Sequence, residues 1–318
     1  MYDIFHHQKL ALDPVRTNAY LEGLKRAVKA GSVVVDLGTG MGIWALVACQ
    51  LGARKVYAIE FSQISQLARQ LAAENGLAER IEVIQALSTQ VQIPEKADVI
   101  VYEIHGQQPM VGGSLRSIID ARDRFLAPGG TMLPSVERLW AAVVHAPEAI
   151  AKYVGGWQGD DNGFTMKSAV PFAADWMYKH PLPPEALLTG PLMYFTLDYH
   201  TLSSPDVVAE LSFTAKREGM GHGLQLWFDS DFGGGVKFST GPGEPEIIFG
   251  RTFIPWRTPV VLAAGDRIVI ALAFHLMTDF YVWKIDTRIM SAESGAIKAE
   301  FHQSSLKHQA PMFPSTAR

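Results

Sequence analysis

The stretch VVVDLGTGMGIWA at 33–45 decides the fold. A β-branched run leads into Asp36 and a glycine-rich turn, and an apolar, helix-forming segment follows. This order predicts a strand, a tight loop and the start of a helix. Gly38, Gly40 and Gly42 have the G-x-G-x-G spacing that lets a ligand approach the backbone closely. A strand-to-helix turn whose glycines serve only packing is the alternative.

An acidic residue, Glu60, closes the next apolar run, KVYAIE at 55–60. In nucleotide-binding α/β folds, an acid at the tip of the second strand binds ribose hydroxyls, and a carboxylate can accept two such hydrogen bonds. Asp36 precedes the first glycine, where a carboxylate suits a cationic ligand better than a pyrophosphate, which needs a free helix N-terminus. S-adenosylmethionine carries an ammonium and a sulfonium, so the pattern favours a methyltransferase over a dehydrogenase.

Composition bounds the class of protein. The chain has 318 residues, a net charge of −4, 48% hydrophobic residues and 19% charged residues, which is ordinary for a soluble globular protein. The negative charge argues against a dedicated nucleic-acid binder. No run approaches the roughly 18 apolar residues of a membrane span, and the N-terminus lacks signal-peptide features. We therefore expect a cytoplasmic protein without a membrane partner. The single cysteine, Cys49, predicts no disulfide and no zinc site, and we expect no metal centre.

Strand and helix patterns alternate from 33 to about 134 and predict a parallel, doubly wound, Rossmann-like sheet. Short β-type runs with turn residues between them follow, and they predict an antiparallel barrel or sandwich. An aromatic, proline-rich excursion at about 150–190 interrupts these runs. Before the first strand, we expect a helix with Asp13 as its N-cap, Pro14 in its first turn and Gly31 at its end.

With these motifs placed, the chain resembles the protein arginine methyltransferases over most of its length. LALDPVR at 10–16 looks like the family's M-L-x-D-x-x-R segment, VVVDLGTGMGI is similar to its cofactor loop, and ADVIVYEIHG at 97–106 aligns with the start of its double-glutamate loop. The resemblance implies a cofactor domain at 1–134 that binds S-adenosyl-L-methionine and releases S-adenosyl-L-homocysteine. It also implies a β-barrel domain at 135–318 with a dimerisation arm at about 150–190.

The cofactor site is predicted from the motifs and from this resemblance together. Arg16 would hold the cofactor carboxylate through its guanidinium, and a helix-surface salt bridge is the alternative for this residue. Ser88 and Thr89 follow the strand IEVIQA and are placed to meet the adenine edge. The predicted cofactor-binding residues are Arg16, Asp36, Gly38, Gly40, Glu60, Phe61, Ser88, Thr89 and Glu103.

Two residues are predicted to be catalytic. Glu103 ends an apolar strand at the carboxyl edge of the sheet, where open α/β folds bind ligands. We expect it to hold a nitrogen or another nucleophile against the methyl group. His105 lies two residues later, and its ordinary pKa allows general-base catalysis at neutral pH. A solvated loop histidine without a catalytic role is the alternative for His105.

Two departures from the family pattern concern the methyl acceptor. The second glutamate should lie nine residues after Glu103, and Gly112 occupies that position. Ile247, Ile248 and Phe249 replace the Thr-His-Trp loop. We therefore predict a homodimeric S-adenosylmethionine-dependent methyltransferase with a diverged acceptor, which could be an arginine of a protein or peptide, a small molecule such as free arginine, or another nitrogen or oxygen nucleophile. A catalytically silent, cofactor-binding dimeric scaffold is the alternative.

Overall fold

A parallel sheet forms the first half of the protein. The computed structural model describes residues 4–161 and 163–308. The sheet consists of β1 (Val33–Leu37), β2 (Lys55–Ile59), β3 (Ile81–Ile84), β4 (Ala97–Tyr102) and β5 (Leu126–Leu133). Its order is β3-β2-β1-β4-β5, with every pairing parallel, which confirms the doubly wound prediction. The loops after β1 to β4 therefore meet at one carboxyl edge of the sheet.

Helices precede and connect these strands. The helix predicted before β1 begins at Pro14, and the Asp13 side chain accepts a hydrogen bond from the Arg16 amide at 3.2 Å as its N-cap. It ends at Ala27 and not at Gly31, because Val28 already has extended backbone angles. The α-helices among the described residues are α1 (Ile4–Leu12), α2 (Pro14–Ala27), α3 (Ile43–Gln50), α4 (Ser65–Glu74), α5 (Ser114–Phe125), α6 (Pro147–Tyr153) and α7 (Val170–Ala174).

Antiparallel strands form the second half of the chain. They are β6 (Val136–Val144), β7 (Asp160–Asp161), β8 (Phe164–Thr165), β9 (Tyr178–Lys179), β10 (Leu192–Asp198), β11 (Val207–Thr214), β12 (Gly219–Asp231), β13 (Lys237–Ser239), β14 (Thr252–Leu262), β15 (Arg267–Leu276), β16 (Tyr281–Met290) and β17 (Ile297–Ser304). One sheet has the order β10-β6-β12-β14-β9, with β13 on β12, and another has the order β11-β15-β16-β17. This arrangement confirms a β-barrel part after the Rossmann-like part.

The excursion at 150–190 leaves the barrel between β6 and β10 and includes the two-stranded β7–β8 pair. The boundary expected at 134 falls between β5 and β6. The division into domains 1–134 and 135–318 stays a prediction. Residues 1–3 and 309–318 of those domains lie outside the described residues, as does residue 162 in the excursion.

Contacts across the two parts place the loop after β4 against the barrel. The Tyr194 hydroxyl donates to Gln108 Oε1 at 3.0 Å, and Gln108 Nε2 donates to Thr252 Oγ1 at 3.3 Å.

Within 4–161 and 163–308, no helix is long and apolar enough to cross a membrane. The same residues contain no group of three or more His, Cys, Asp or Glu side chains that could hold a metal ion.

Candidate active site

The glycine loop after β1 is closely covered from two sides. Gly38 and Gly40 have φ angles of +72° and +55°, which side chains rarely adopt. A Cβ on Gly38 would lie 3.2 Å from the side chain of Ile104, and one on Gly40 would lie 3.2 Å from the ring of His7. His7 on α1 was not anticipated from the sequence, because only the packing of α1 brings it to the loop.

Asp36, at the end of β1, is buried and fixes the first turn of α3. Its Oδ2 accepts hydrogen bonds from Thr39 Oγ1 at 2.5 Å and from the Ala45 amide at 3.0 Å. Its Oδ1 is buried and has no hydrogen-bond partner among the described residues. Burial raises the pKa of Asp36 to about 7. The two hydrogen bonds lower this pKa, and the negative charges of Glu103 and Glu60 raise it further. This carboxylate therefore has one oxygen left for a cationic ligand.

Glu60 joins the tips of β1 and β2. Its Oε2 accepts from the Gly40 amide at 3.2 Å, and its Oε1 accepts from the Ser62 amide at 2.8 Å. Each carboxylate oxygen keeps a second acceptor position, so ribose hydroxyls can still bind there. Phe61 follows with 63% of its surface exposed, as a residue that could cover a ligand at this edge.

Ser88 and Thr89 lie in a 3-10 turn, Ser88–Gln90, beyond the carboxyl end of β3. Ser88 is buried, and its carbonyl accepts from Arg124 Nη2 at 2.6 Å, whereas Thr89 is exposed. Because β3 neighbours β2 in the sheet, the turn lies at the same edge as Glu60. A contact with the adenine stays a prediction for both residues.

Glu103, directly after β4, forms a buried ion pair with Arg16. Arg16 Nη1 donates to Glu103 Oε2 at 2.7 Å, and the two side chains are 2% and 9% exposed. Arg16 therefore forms a salt bridge, as the alternative for this residue held, but a buried one and not one on the helix surface. A contact with the cofactor carboxylate stays a prediction. Burial raises the pKa of Glu103, while the charge of Arg16 and a hydrogen bond from Trp44 oppose the rise.

Trp44, near the start of α3, is a site residue that the sequence analysis missed. Its indole Nε1 donates to Glu103 Oε2 at 3.1 Å, and its ring stacks on Tyr20 with centroids 4.9 Å apart. The Arg16 guanidinium lies 5.3 Å from the Trp44 ring. The sequence feature that could have identified Trp44 is an aromatic residue two positions after the last glycine of the loop.

His105 is buried, and the solvated alternative is wrong. Its Nε2 lies 2.8 Å from Glu137 Oε1, with side chains 2% and 0% exposed. Burial alone lowers the pKa of His105, but the charge and hydrogen bond of Glu137 raise it above the ordinary value. Tyr199 and Ser230 also donate to Glu137. This geometry holds the His105 ring against the barrel. Catalysis by His105 stays a prediction.

On the side where the resemblance places the methyl acceptor, Gly112 occupies the position of the second glutamate. Gly112 has a φ of +51°, and apart from its chain neighbours the described residue nearest to a Cβ placed there is Asp279, whose carbonyl oxygen lies 4.0 Å away. In the loop that replaces Thr-His-Trp, the Ile248 amide donates to Asp13 Oδ2 at 2.8 Å. Phe249 is buried and lies 5.3 Å from the His105 ring. This loop therefore reaches the start of α2 through its backbone.

Comparisons with known proteins identify the family of this chain. A family model described as "Ribosomal protein L11 methyltransferase (PrmA)" matches residues 15–135. The chain is 32% identical over 255 residues to "Probable protein arginine N-methyltransferase 6.2" of Oryza sativa subsp. indica, covering 77% of this chain and 64% of that protein. It is 31% identical over 266 residues to "Protein arginine N-methyltransferase 6" of Xenopus laevis, covering 79% of this chain and 78% of that protein. The chain belongs to the protein arginine N-methyltransferase family.

The fold of this arginine methyltransferase family member matches that of a solved relative. The structure titled "Trypanosoma brucei PRMT1 enzyme-prozyme heterotetrameric complex with AdoHcy" has a TM-score of 0.83, 21% identity, and coverage of 94% of this chain and 97% of that chain. At that identity the likeness shows the fold alone. The chain spans 64% of the length of the Oryza relative.

Proposed function

We propose that this protein is an S-adenosylmethionine-dependent methyltransferase that methylates a nitrogen held by Glu103. The observation that carries the proposal is a buried Glu103 carboxylate beside a glycine loop. Ile104, the next residue, is the side chain closest to Gly38, so the carboxylate and the loop adjoin at one sheet edge. An acceptor and a cofactor bound there would be neighbours.

The residues at this edge fit S-adenosylmethionine. The free oxygen of Asp36 suits the cofactor ammonium, the remaining acceptor positions of Glu60 suit the ribose, and Arg16 suits the carboxylate. When bound, the cofactor supplies an electrophilic methyl group on its sulfonium, and S-adenosylhomocysteine is the product. A relative of the same fold was solved with S-adenosylhomocysteine, as its title states.

The protein's own residues align and desolvate the nucleophile. Glu103 accepts a hydrogen bond from the acceptor nitrogen and balances the positive charge that develops on it as the N–C bond forms and the S–C bond breaks. The methylated nitrogen then releases a proton to solvent. Two glutamates would grip a guanidinium on two edges, whereas one can grip a single edge. Losing one charge-assisted contact costs about 1.5–3 kcal/mol, so a charged guanidinium is held less well. We therefore propose a diverged acceptor, and poor methylation of generic arginine-rich tails.

The names of the relatives favour an enzyme over the catalytically silent scaffold. The relatives are called arginine N-methyltransferases, and this chain keeps the buried Glu103 that a scaffold would not need. We also propose a homodimer formed through the excursion at 150–190, since the solved relative is titled as an oligomeric complex.

The test is methyl transfer from isotopically labelled S-adenosylmethionine, followed by mass spectrometry. Arginine-rich peptides, free arginine and a metabolite extract are offered separately to the wild type, to Glu103→Gln and to Glu22→Gln. Glu22 pairs with Lys25 on the exposed face of α2 and is the matched control. We expect label in at least one pool with the wild type and the control, and at least a hundredfold less with Glu103→Gln.

Two results would contradict the proposal in different ways. Unchanged transfer by Glu103→Gln would exclude the role given to that carboxylate. Efficient transfer to the arginine-rich peptides by the wild type would exclude only the diverged acceptor and leave ordinary arginine methylation.

A further inference from the structure

The two oxygens of Glu103 have different surroundings. Oε2 accepts two hydrogen bonds, from Arg16 Nη1 at 2.7 Å and from Trp44 Nε1 at 3.1 Å. Oε1 is buried and has no hydrogen-bond partner in residues 4–161 and 163–308. A carboxylate held by only one donor can turn about the bond to its methylene carbon, whereas two donors from different directions on one oxygen fix the plane of the carboxylate and the direction in which the other oxygen points.

Trp44 is itself held in place from several directions. The Ala45 amide donates to Asp36, which anchors the first turn of α3 to the end of β1. The indole stacks on Tyr20 with an interplanar angle of 16°, and the Tyr20 hydroxyl donates to the Tyr102 carbonyl at 2.9 Å. The ring is 5% exposed. The direction of its N–H bond is therefore set by packing and not by Glu103 alone.

We propose that Trp44 is a positioning residue that fixes the orientation of the Glu103 carboxylate, so that the oxygen without a partner, Oε1, is presented to the acceptor. The proposal rests on the proposed methyltransferase function and adds the part of the site that orients its carboxylate. With Oε2 occupied and Gly112 without a side chain, the acceptor meets one carboxylate oxygen. The site thus recognises one N–H donor and not the parallel pair that a guanidinium gives to a full carboxylate.

The pH dependence of transfer distinguishes this role from a merely structural one. Glu103 interacts electrostatically with several titratable groups, namely the cation Arg16, the carboxylates of Asp13 and Asp36, His105 and the Tyr20 phenol. Trp44 adds a neutral donor that favours the ionised carboxylate. Removing that donor raises the pKa of Glu103, so the acid limb of the rate profile moves to higher pH.

The first test measures the contact without activity. The full-length protein is labelled at the tryptophan indole nitrogens, and the Trp44 N–H resonance is identified as the one lost in Trp44→Phe. In Glu103→Gln, this resonance should shift while that of Trp140, whose Nε1 donates to Asp229 at 2.8 Å in the barrel, stays in place. An unmoved Trp44 resonance would overturn the proposal even if the protein transfers no methyl group.

The second test is kinetic and uses Trp44→Phe, which keeps an aromatic ring against Tyr20 and loses the N–H. We expect kcat to fall on the order of tenfold, which corresponds to one hydrogen bond to a charged group. The Kd for the cofactor should change less than threefold, and the acid limb should move to higher pH. Trp140→Phe also loses an indole hydrogen bond to a carboxylate and should match the wild type.

The outcomes separate this inference from the proposed function. An active wild type with Trp44→Phe matching it in kcat and in pH profile would overturn the positioning role alone. A lower kcat in both Trp44→Phe and Trp140→Phe, without a shift of the acid limb, would assign Trp44 an ordinary structural effect and also overturn it. An inactive wild type would instead refute the methyltransferase proposal.

Discussion

Two buried carboxylates at the same sheet edge have different environments. Glu103 is paired with the cation Arg16, whereas the hydrogen bonds that Asp36 accepts from the described part of the chain come from the neutral Thr39 and Ala45 groups. Burial therefore dominates at Asp36 and raises its pKa to about 7. A charge that is poorly compensated in the free protein is the one that a bound cation would stabilise most.

Cofactor affinity should consequently depend on pH near neutrality. Below about 7, a proton on Asp36 competes with the cofactor ammonium, so the affinity should fall with decreasing pH and level off above that value. Calorimetric titration with S-adenosylhomocysteine from pH 5.5 to 8.5 measures this dependence. Asp36→Asn should bind weakly throughout and without the same slope. An affinity that rises as the pH falls would contradict the role given to Asp36.

At the scale of elements, the loop after β4 is attached to the barrel through buried polar groups. His105 pairs with Glu137 on β6, and Ser230 on β12 and Tyr199 also donate to that glutamate. Phe228 and Phe249 flank the histidine ring, with centroids 5.7 and 5.3 Å away. Because Glu103 begins this loop, the His105–Glu137 pair connects the position of the Glu103 carboxylate to the barrel strands.

This pair gives a pH-dependent stability with a defined sign. The pKa of His105 is raised in the folded protein, so its contribution is fully present below the unfolded value of about 6.5 and is lost as the pH rises through the folded pKa. His105→Gln should lower the free energy of unfolding by about 1.5–3 kcal/mol at pH 6 and by less at pH 9. Urea denaturation at both values measures the difference.

The control for this prediction is His275→Gln. His275 pairs with Asp206 on the surface at 3.0 Å, with side chains 51% and 39% exposed. Such a pair contributes at most about 1 kcal/mol, so this variant should show a small change at either pH. A loss in His105→Gln that grows from pH 6 to pH 9 would show that the charged form of His105 does not stabilise the fold.

The glycine loop, Asp36 and Glu60 could be predicted because their spacing along the chain is the signal, and the parallel sheet follows from alternating strands and helices. The contacts of Trp44 and His105 could not, since their partners lie 59 and 32 residues away. Those pairings depend on how α3 and β6 pack around the loop after β4. Side-chain polarity alone identifies Glu103 and His105 as candidates and leaves their partners undetermined.

At the scale of the whole molecule, the excursion at 150–190 exposes large apolar side chains that a monomer would leave in water. Trp157 is 38% exposed, Phe164 73% and Trp176 53%. Several large exposed apolar side chains in one segment are typical of an interaction surface. A two-fold partner would cover the same residues on both copies, because a two-fold interface is isologous.

We therefore predict that the protein is a homodimer in solution and that its dimer depends on this excursion. Light scattering at micromolar concentration should give twice the mass of one chain. Phe164→Ser combined with Trp176→Ser should shift the protein towards the monomer, because each change removes exposed apolar area from the interface. Ile297→Ser, at a barrel residue that is 55% exposed, is the matched control and should leave the dimer intact. A wild type that stays monomeric with and without S-adenosylhomocysteine would refute the homodimer, and equal dissociation by the control would refute the assignment of its interface to the excursion.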